Sequence, residues 1–318
     1  MTNTTANNYP LVSCVVTCYK KVPYLYEAIA SVLMQDYPRI ELLVTDDGTV
    51  DFPTGDICEY IERNKGPGIE NYVVFHHEEN VGTVKNMNGM LKIAHGDYFV
   101  NLDGDDAFYD SSVISKVICR FQETNADLLS CGRMLCDTQM NPIKRLPDPD
   151  DVIAAQKLNT AKKQFHSFAV FKFHNIASGS AMYFSRECME RIGMFDDSYR
   201  QWQDGPWLTK YVQLGKAIPT AYDILAVKYR DGGVSNNKKL NLDSSTHLAK
   251  DWRHFIDQFT VADRWSPYVF RRRYYVFSQR WDNCKSRAQQ MRILLCYPER
   301  AISMLFHKTK KLFHKKKQ

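Results

Sequence analysis

Three short apolar runs in the first third of the chain stop on residues that can do chemistry. Val15-Val16-Thr17 leads into Cys18-Tyr19. Leu43-Val44-Thr45 leads into Asp46-Asp47-Gly48-Thr49. Tyr98-Phe99-Val100-Asn101-Leu102 leads into Asp103-Gly104-Asp105-Asp106. In an open α/β sheet the carboxyl ends of the strands are where ligands bind. Carboxylates packed this closely cannot all be buried unpaired, because desolvating them costs too much. Two readings of the third run therefore stand. It is a solvated acidic turn, which Asp and Gly suit, or its acids hold a cation. Hard oxygen ligands favour Mg²⁺ or Mn²⁺, and Mg²⁺ commonly shares one or two carboxylates with substrate phosphates.

The elements that must carry these ends are legible from hydrophobic spacing. Residues 11–17, 40–45 and 72–76 read as short buried strands, rich in β-branched and apolar side chains. Pro23 opens a helix whose Leu25, Ala28, Ile29, Val32 and Leu33 recur at helical spacing. Further helices are expected over 55–64 and 81–94, the latter closed by Gly96. A helix at 112–124 and a strand at 127–135 complete this half. The alternation predicts a mainly parallel sheet with helices on both faces and right-handed crossovers. Residues 137–149 read as a loop and 154–164 as a helix. Strands are expected at 168–173 and 180–184, a short helix at 185–192 ended by Gly193, and a helix over 204–215. Residues 217–229 read as extended, 231–239 as a polar loop, and 243–259 and 268–283 as helices. Neither a GxxxxGK[ST] loop nor a GxGxxG turn is present, so a metal-bridged diphosphate is a more natural ligand than one cradled by glycines.

Composition bounds the partners. The 318 residues are 44% hydrophobic and 25% charged, ordinary for a folded domain with an appendage. The net charge of +6 is unevenly placed. From Arg271 onward the only acids are Asp282 and Glu299, among many Lys and Arg, so the rest of the chain is net acidic. That argues against a nucleic-acid-binding core. The nine cysteines form no CxxC pair, which removes the usual zinc spacing and fits a reducing cytoplasm. The polar first ten residues lack the pattern of a signal peptide, and no apolar run is long enough to span a bilayer.

Taken in order, Val15-Val16-Thr17-Cys18-Tyr19, Thr45-Asp46-Asp47-Gly48-Thr49, Asn80-Val81-Gly82-Thr83-Val84-Lys85-Asn86-Met87-Asn88 and Leu102-Asp103-Gly104-Asp105-Asp106 resemble the family-2 glycosyltransferases of the GT-A fold. The resemblance covers roughly residues 10 to 235 and implies a Rossmann-like α/β domain over 1–240. Its nucleotide-sugar half would run from about 10 to 135 and its acceptor half from 136 to 240, with a helical basic extension over 241–318. It implies an inverting, metal-dependent transfer of a sugar from a UDP-sugar to a hydroxyl of a saccharide or lipid-linked acceptor. By the same analogy the setting is cell-surface polysaccharide assembly, such as O-antigen or capsule. Thr17, Cys18 and Tyr19 would line the nucleotide, largely through backbone groups, and Asp46 would contact the base. Asp47 would either contact the base too or only fix the Asp-Gly turn. Lys85 and Asn88 would face the donor. Asp103-Gly104-Asp105 matches the family's D-x-D motif, so Asp105 would ligate Mg²⁺ or Mn²⁺ and Asp103 would touch sugar, ribose or metal.

On the acceptor side, Phe195-Asp196-Asp197 through Gln203-Asp204-Gly205-Pro206-Trp207-Leu208 resembles the family's F-D-E…E-D-x-x-L region. Asp204 falls on the catalytic base, and Gln203 stands where a Glu is usual. Asp204 also suits a helix N-cap, and the two roles are compatible. Trp202 would stack on acceptor, and Ser178 and Gly179 would lie below it. The later loop, where some members place a His, reads Tyr229-Arg230-Asp231-Gly232-Gly233-Val234-Ser235, leaving Arg230 or Ser235 to reach the diphosphate. Ile302, Leu305, Leu312 and Phe313, interleaved with lysines, suggest a basic amphipathic helix on an anionic membrane surface, placing the enzyme peripherally on the inner face of the plasma membrane. Two other readings are a sugar nucleotidyltransferase, which would carry a Gly-rich loop where Thr17-Cys18-Tyr19-Lys20-Lys21 stands, and a non-catalytic nucleotide-sugar-binding protein, for which Gln203 is a hint.

Overall fold

The computed structural model describes residues 9–169, 176–232, 246–258 and 286–298. Of these, 9–168 and 176–232 form one compact unit, and most of the remainder belongs to a second. The first unit opens with β1 (Val12–Cys18), α1 (Val22–Leu33), β2 (Ile40–Asp46), α2 (Thr54–Asn64), β3 (Ile69–His76), α3 (Thr83–Ile93) and β4 (Tyr98–Asp103). These follow the strand–helix alternation expected from the apolar runs. Pro23 lies in the first turn of α1, where its missing N–H costs nothing.

The sheet order is β3-β2-β1-β4, all parallel. The chain lays down β1, steps outward through β2 to β3, and returns to place β4 on the other side of β1. That reversal is a topological switch point, and it opens a crevice at the carboxyl ends of β1 and β4. Register aligns those ends: Thr17 pairs with both Thr45 and Asp103, and Cys18 with Asp46.

Both faces of β1 and β2 are buried. Cys14 and Val16 of β1 and Leu42 and Val44 of β2 pack with Leu25 and Ile29 of α1. On the other face Val15 and Phe99 meet Met87 and Leu91 of α3 around a largely apolar cavity. Fully burying one such aliphatic side chain contributes about 1.5–3 kcal/mol, which is why these strands read as continuous apolar runs. The cysteines of this core behave as small hydrophobes, and the described cysteines are all free thiols.

Beyond β4 the sheet is mixed. β5 (Ala107–Phe108) and α4 (Val113–Thr124) precede β6 (Leu128–Cys136) and β7 (Pro142–Leu146). Then come α5 (Pro149–Gln156), α6 (Ala161–Ala169), a 3₁₀ turn at Gly179–Ala181, β8 (Met182–Ser185), α7 (Arg186–Ile192), α8 (Asp204–Gln213) and β9 (Thr220–Arg230). β8 runs antiparallel between β4 and β6, β9 runs parallel to β6, and β5 closes the edge antiparallel to β9.

Several expectations shift. Part of the 137–149 loop is β7, paired with β6. The single helix expected at 154–164 is two, α5 and α6, and Asp148 caps α5 by accepting from the Asp151 N–H at 2.9 Å. Phe168 and Ala169 end a helix instead of starting a strand, and 170–173 lie outside the described residues. In the second unit, residues His247–Gln258 and Arg287–Cys296 are helical. The expected helix at 268–283 and the basic stretch at 300–317 lie outside the described residues. Among the described residues no helix is long and apolar enough to cross a membrane.

Candidate active site at the carboxyl ends of the sheet

The acidic turn after β4 is fastened to β1 by its glycine. The Gly104 N–H donates to the Thr17 carbonyl at 2.7 Å. A Cβ on Gly104 would sit 2.7 Å from that same oxygen, so only glycine lets the turn approach so closely. The turn closes with the Asp106 N–H on the Asp103 carbonyl at 2.9 Å.

The three acids are treated differently. Asp103 accepts a long hydrogen bond from the Thr17 hydroxyl at 3.4 Å. Asp105 is ion-paired through Oδ2 with the Lys21 ammonium. Asp106 is 2% exposed; its Oδ1 accepts the Arg230 N–H at 2.8 Å, while its Oδ2 is buried without a partner among the described residues. Burial, then the Asp105 charge, pushes Asp103 up to about 6. Burial, then the Asp103 charge, pushes Asp106 well above the ordinary carboxylate range. A cation placed here would relieve both.

The rim therefore fits a divalent ion. It offers the carboxylates of Asp103 and Asp105, one of which already attracts a protein cation, and beside them a buried acidic oxygen with no partner among the described residues. Among the described residues no three His, Cys, Asp or Glu side chains form a closed metal cage. Two carboxylates suit Mg²⁺ or Mn²⁺, which keep waters and take phosphate oxygens, better than a structural ion.

The neighbouring ends are more committed. Asp46 is 0% exposed. Its oxygens accept from the Thr49 N–H at 2.6 Å and the Thr49 hydroxyl at 2.5 Å, and His76 Nδ1 lies 2.9 Å from Oδ2. Asp46, expected at the base, has its carboxylate engaged by Thr49 and His76 in this structure and shapes the turn. Asp47 is equally engaged. It accepts from the Val81 N–H at 2.7 Å, the Gly82 N–H at 3.1 Å and Asn80 Nδ2 at 2.9 Å. Cys18 is buried, and its backbone carbonyl accepts the Asp47 N–H at 2.9 Å. Tyr19 is exposed at the rim, with the Lys20 ammonium 4.8 Å from its ring centroid.

α3 divides the two residues that were expected to act together. Lys85 is exposed. Asn88 is buried, donating to the Phe195 carbonyl at 2.8 Å and to Asp197 at 2.6 Å, and accepting the Phe195 N–H at 3.2 Å. Its amide holds the chain leading towards α8.

Asp204 is the first residue of α8, one position inside the N-cap, which is Gln203. Its Oδ1 accepts the Gly205 N–H and its Oδ2 the Gly179 N–H, both at 2.8 Å. A Cβ on Gly179 would lie 3.1 Å from Oδ2, so glycine permits the contact. Burial raises the Asp204 pKa, with the two N–H groups pulling it back. Gly179 is tied in turn to β4 by Asn101, whose Nδ2 donates to its carbonyl at 2.8 Å. Ser178 Oγ lies 3.3 Å from Ser180 Oγ. Gln203 lines the apolar cavity with Gly179 and Phe195. Trp202 is half-buried with its indole laid against Gly205, where a Cβ would come within 2.2 Å of the ring.

Arg230, expected near the diphosphate, is engaged by protein groups. It is 4% exposed, its Nε donates to the Asp105 carbonyl at 2.8 Å, and it bonds the Thr138 carbonyl and Glu27. Its guanidinium lies 4.1 Å from the Tyr24 ring centroid. It braces the acidic turn from behind. Ser235 lies outside the described residues.

Residue-by-residue reading missed Arg133 on β6. Its Nη1 donates to Ser180 Oγ at 3.1 Å, and its guanidinium lies 4.9 Å from the Tyr229 ring centroid. Burial lowers its pKa, while Asp106, Asp204 and Asp103 act in the opposite direction. A single arginine in an apolar strand was the available signal. Lys21 was passed over too, being one of two adjacent lysines in a loop.

The sequence profile of glycosyl transferase family 2 matches residues 13–193. The chain belongs to that family. It is 24% identical over 260 residues to an uncharacterised glycosyltransferase of Rickettsia typhi, covering 81% of this chain and 75% of that one. A Rickettsia felis relative matches at 25% over 82% of this chain, which spans only 41% of that longer protein. EpsJ of Bacillus subtilis, named as an uncharacterised glycosyltransferase, is 26% identical over 62% of this chain and 55% of its own. Among solved structures, the mannosyltransferase PcManGT of Pyrobaculum calidifontis, in complex with GDP-Man and Mn²⁺, superposes with a TM-score of 0.60 at 17% identity, covering 97% of this chain and 82% of that one. TarS of S. aureus in complex with UDP-GlcNAc gives 0.55 at 16% identity, over 84% and 81%. These likenesses establish the GT-A fold.

Proposed function

We propose that the chain is an inverting, metal-dependent glycosyltransferase that moves a sugar from a UDP-sugar to a hydroxyl of a saccharide or lipid-linked acceptor. The observation that carries this reading is the bridge between Asp204 and β4. Gly179 donates its N–H to Asp204 at 2.8 Å and accepts from Asn101, two residues before Asp103, at 2.8 Å. One acid set belongs to the leaving group and the other to the attacking hydroxyl.

Asp204 takes the acceptor proton as the oxygen attacks the anomeric carbon from the face opposite the diphosphate. The bond from that carbon to the diphosphate oxygen breaks, configuration inverts, and UDP departs. A raised carboxylate pKa brings Asp204 closer to the range in which a general base works best. The Gly179 and Gly205 N–H groups hold the carboxylate in one orientation throughout. Asp105 and Asp103 would hold Mg²⁺ or Mn²⁺, which when bound stabilises the negative charge developing on the leaving diphosphate. Tyr19 supplies an exposed ring for the base, and Thr17 sits at the sugar side of the turn. The complexes of TarS with UDP-GlcNAc and of PcManGT with GDP-Man and Mn²⁺ support a nucleotide-sugar donor and a divalent ion. A role in cell-surface polysaccharide assembly, at the inner face of the plasma membrane through the basic C-terminal stretch, completes the proposal.

The test is a donor panel of UDP-Glc, UDP-Gal, their N-acetyl forms and GDP-Man, with and without Mn²⁺, scored for nucleoside diphosphate release. Metal-dependent UDP release is the expected result. Pyrophosphate release in its place would identify a nucleotidyltransferase, and no release with any donor would favour a binding protein.

A further inference from the structure

The cation beside the acidic turn is supplied by the protein itself. The Lys21 ammonium sits on Asp105 Oδ2, with the lysine side chain 42% exposed and the Asp105 side chain 20% exposed. The two ends of this pair differ in mobility. The backbone of Lys21 is fixed: its carbonyl accepts the Tyr24 N–H at 3.0 Å and the Leu25 N–H at 3.3 Å at the start of α1. Lys20 before it is held in a left-handed conformation, φ 62°, with its N–H on Thr49 Oγ1 at 2.8 Å. Asp105 is anchored through its carbonyl by Arg230. Only the four-carbon lysine stem is free to swing. Asp103 and Asp106, by contrast, are held by a short hydroxyl side chain and a backbone N–H.

We propose that Lys21 is a tethered counter-ion that a divalent metal must displace from Asp105. The inference rests on the reading that Asp105 is a metal ligand. Ammonium and metal compete for one carboxylate, so the metal binds weakly by itself. A nucleotide diphosphate arriving with the metal gives the released ammonium a second anion to pair with. Lys21 thereby couples metal binding to donor binding, and by linkage the coupling is reciprocal. The pair also keeps the turn's charge balanced between turnovers, which three neighbouring acids require.

Titrating the full chain with Mn²⁺, following free Mn²⁺ by its EPR amplitude with and without UDP, tests this. Lys21→Met is expected to bind Mn²⁺ about three- to tenfold tighter than wild type in the absence of UDP, the scale of a partly exposed ion pair. The factor by which UDP tightens Mn²⁺ binding is expected to shrink by the same amount. Lys21→Arg, which keeps the charge, is expected to remain within about twofold of wild type. Equal affinity of Lys21→Met and wild type without UDP, while UDP still promotes binding in both, would overturn the proposal and leave the metal reading intact. Failure of every form to bind Mn²⁺, even with UDP, would overturn the metal reading and the proposal together. A second measurement needs no variant. Carbodiimide should couple Lys21 to Asp105 in the wild-type protein, detected as a linked peptide by mass spectrometry. Mn²⁺ with UDP should suppress that link, and an undiminished yield counts against displacement.

Discussion

Two acidic strand ends flank β1, and they are built for different work. At the end of β2, Asp46 and Asp47 have their oxygens enclosed by Thr49, His76, Asn80, Val81 and Gly82. At the end of β4, Asp103 has one long hydroxyl contact, Asp105 a swinging lysine, and Asp106 one oxygen without a partner among the described residues. The direction of the pKa shift does not separate them, since burial raises Asp47 as well as Asp103. What separates them is which atoms hold the oxygens. Backbone N–H groups cannot leave without unfolding a turn, whereas an ammonium on a flexible stem can. At these two strand ends, the acids engaged by backbone and short side chains shape their turn, and the one closed by a mobile cation can exchange its partner.

The sharpest way to break this contrast is to remove the acids assigned to chemistry. Asp204→Asn should lower kcat by about 10²–10⁴-fold, the usual contribution of a positioned general base, with the fold retained by circular dichroism. Asp105→Asn should be comparably damaging, and its defect should not be relieved by raising donor concentration. In wild type at saturating metal, kcat/KM should fall as pH drops through a value above the ordinary Asp range, because burial raises Asp204 and the base works only when ionised. An activity level in Asp204→Asn equal to wild type would move the base elsewhere.

On the other strand end the large effect should be on stability. Asp47→Ala leaves the Val81 and Gly82 N–H groups without their acceptor, while the Asn80 amide keeps the Asp47 carbonyl at 3.1 Å. Each buried donor left unmatched costs about 1–3 kcal/mol, so a loss of roughly 2–4 kcal/mol by denaturant unfolding is expected. Asp105→Asn, tested in parallel, should change stability far less, because its carboxylate pairs only with a half-exposed lysine. If the two variants destabilise equally, the distinction between the strand ends fails.

A third acid sharpens the comparison by its sign. Asp127, at the start of β6, is opposed by burial, but Lys216 at 2.6 Å, Tyr211 at 2.7 Å and Arg191 outweigh it and hold its pKa below the usual value. A carboxylate whose folded pKa is depressed stabilises fully above its unfolded pKa of about 3.9 and loses that stability as pH falls through the folded value. Asp127→Asn should therefore cost roughly 1.5–3 kcal/mol at pH 7. The deficit should shrink as pH falls below 4, giving a flatter acid limb in unfolding free energy against pH. A deficit that does not change with pH would mean that packing, not charge, dominates there.

Much of this was legible in the chain. The parallel strands and their acidic ends follow from apolar runs stopped by Asp, and the helices between them from residue spacing. What could not be read was which groups meet across long separations. Asp47 is enclosed by Val81, 34 residues on, and Asp106 by the Arg230 N–H, 124 residues on. Sequence shows that an Asp ends a strand; only register and loop path decide whether an N–H faces it. The same limit explains why the contacts of Arg230 with Asp105, Thr138 and Glu27 could not be read. It also explains why β7 was hidden in a Pro- and Asp-rich stretch, since a short exposed edge strand has no apolar pattern to show.

The smallest effects test the finest division, within one turn of α3. Lys85 and Asn88 lie three residues apart, a spacing that puts side chains on neighbouring faces of a helix, yet one is exposed and the other is closed beneath Phe195 and Asp197. Asn88→Ala should behave as a fold variant, losing about 1–3 kcal/mol because a buried carbonyl and N–H lose their partner. Lys85→Ala should leave stability within about 0.5 kcal/mol. If Lys85 reaches the donor, that substitution raises the donor KM by about two- to fivefold with kcat unchanged, the mark of an interaction present equally in ground and transition states. An unchanged KM would make Lys85 a solvated helix lysine and confine the donor site to the ends of β1 and β4.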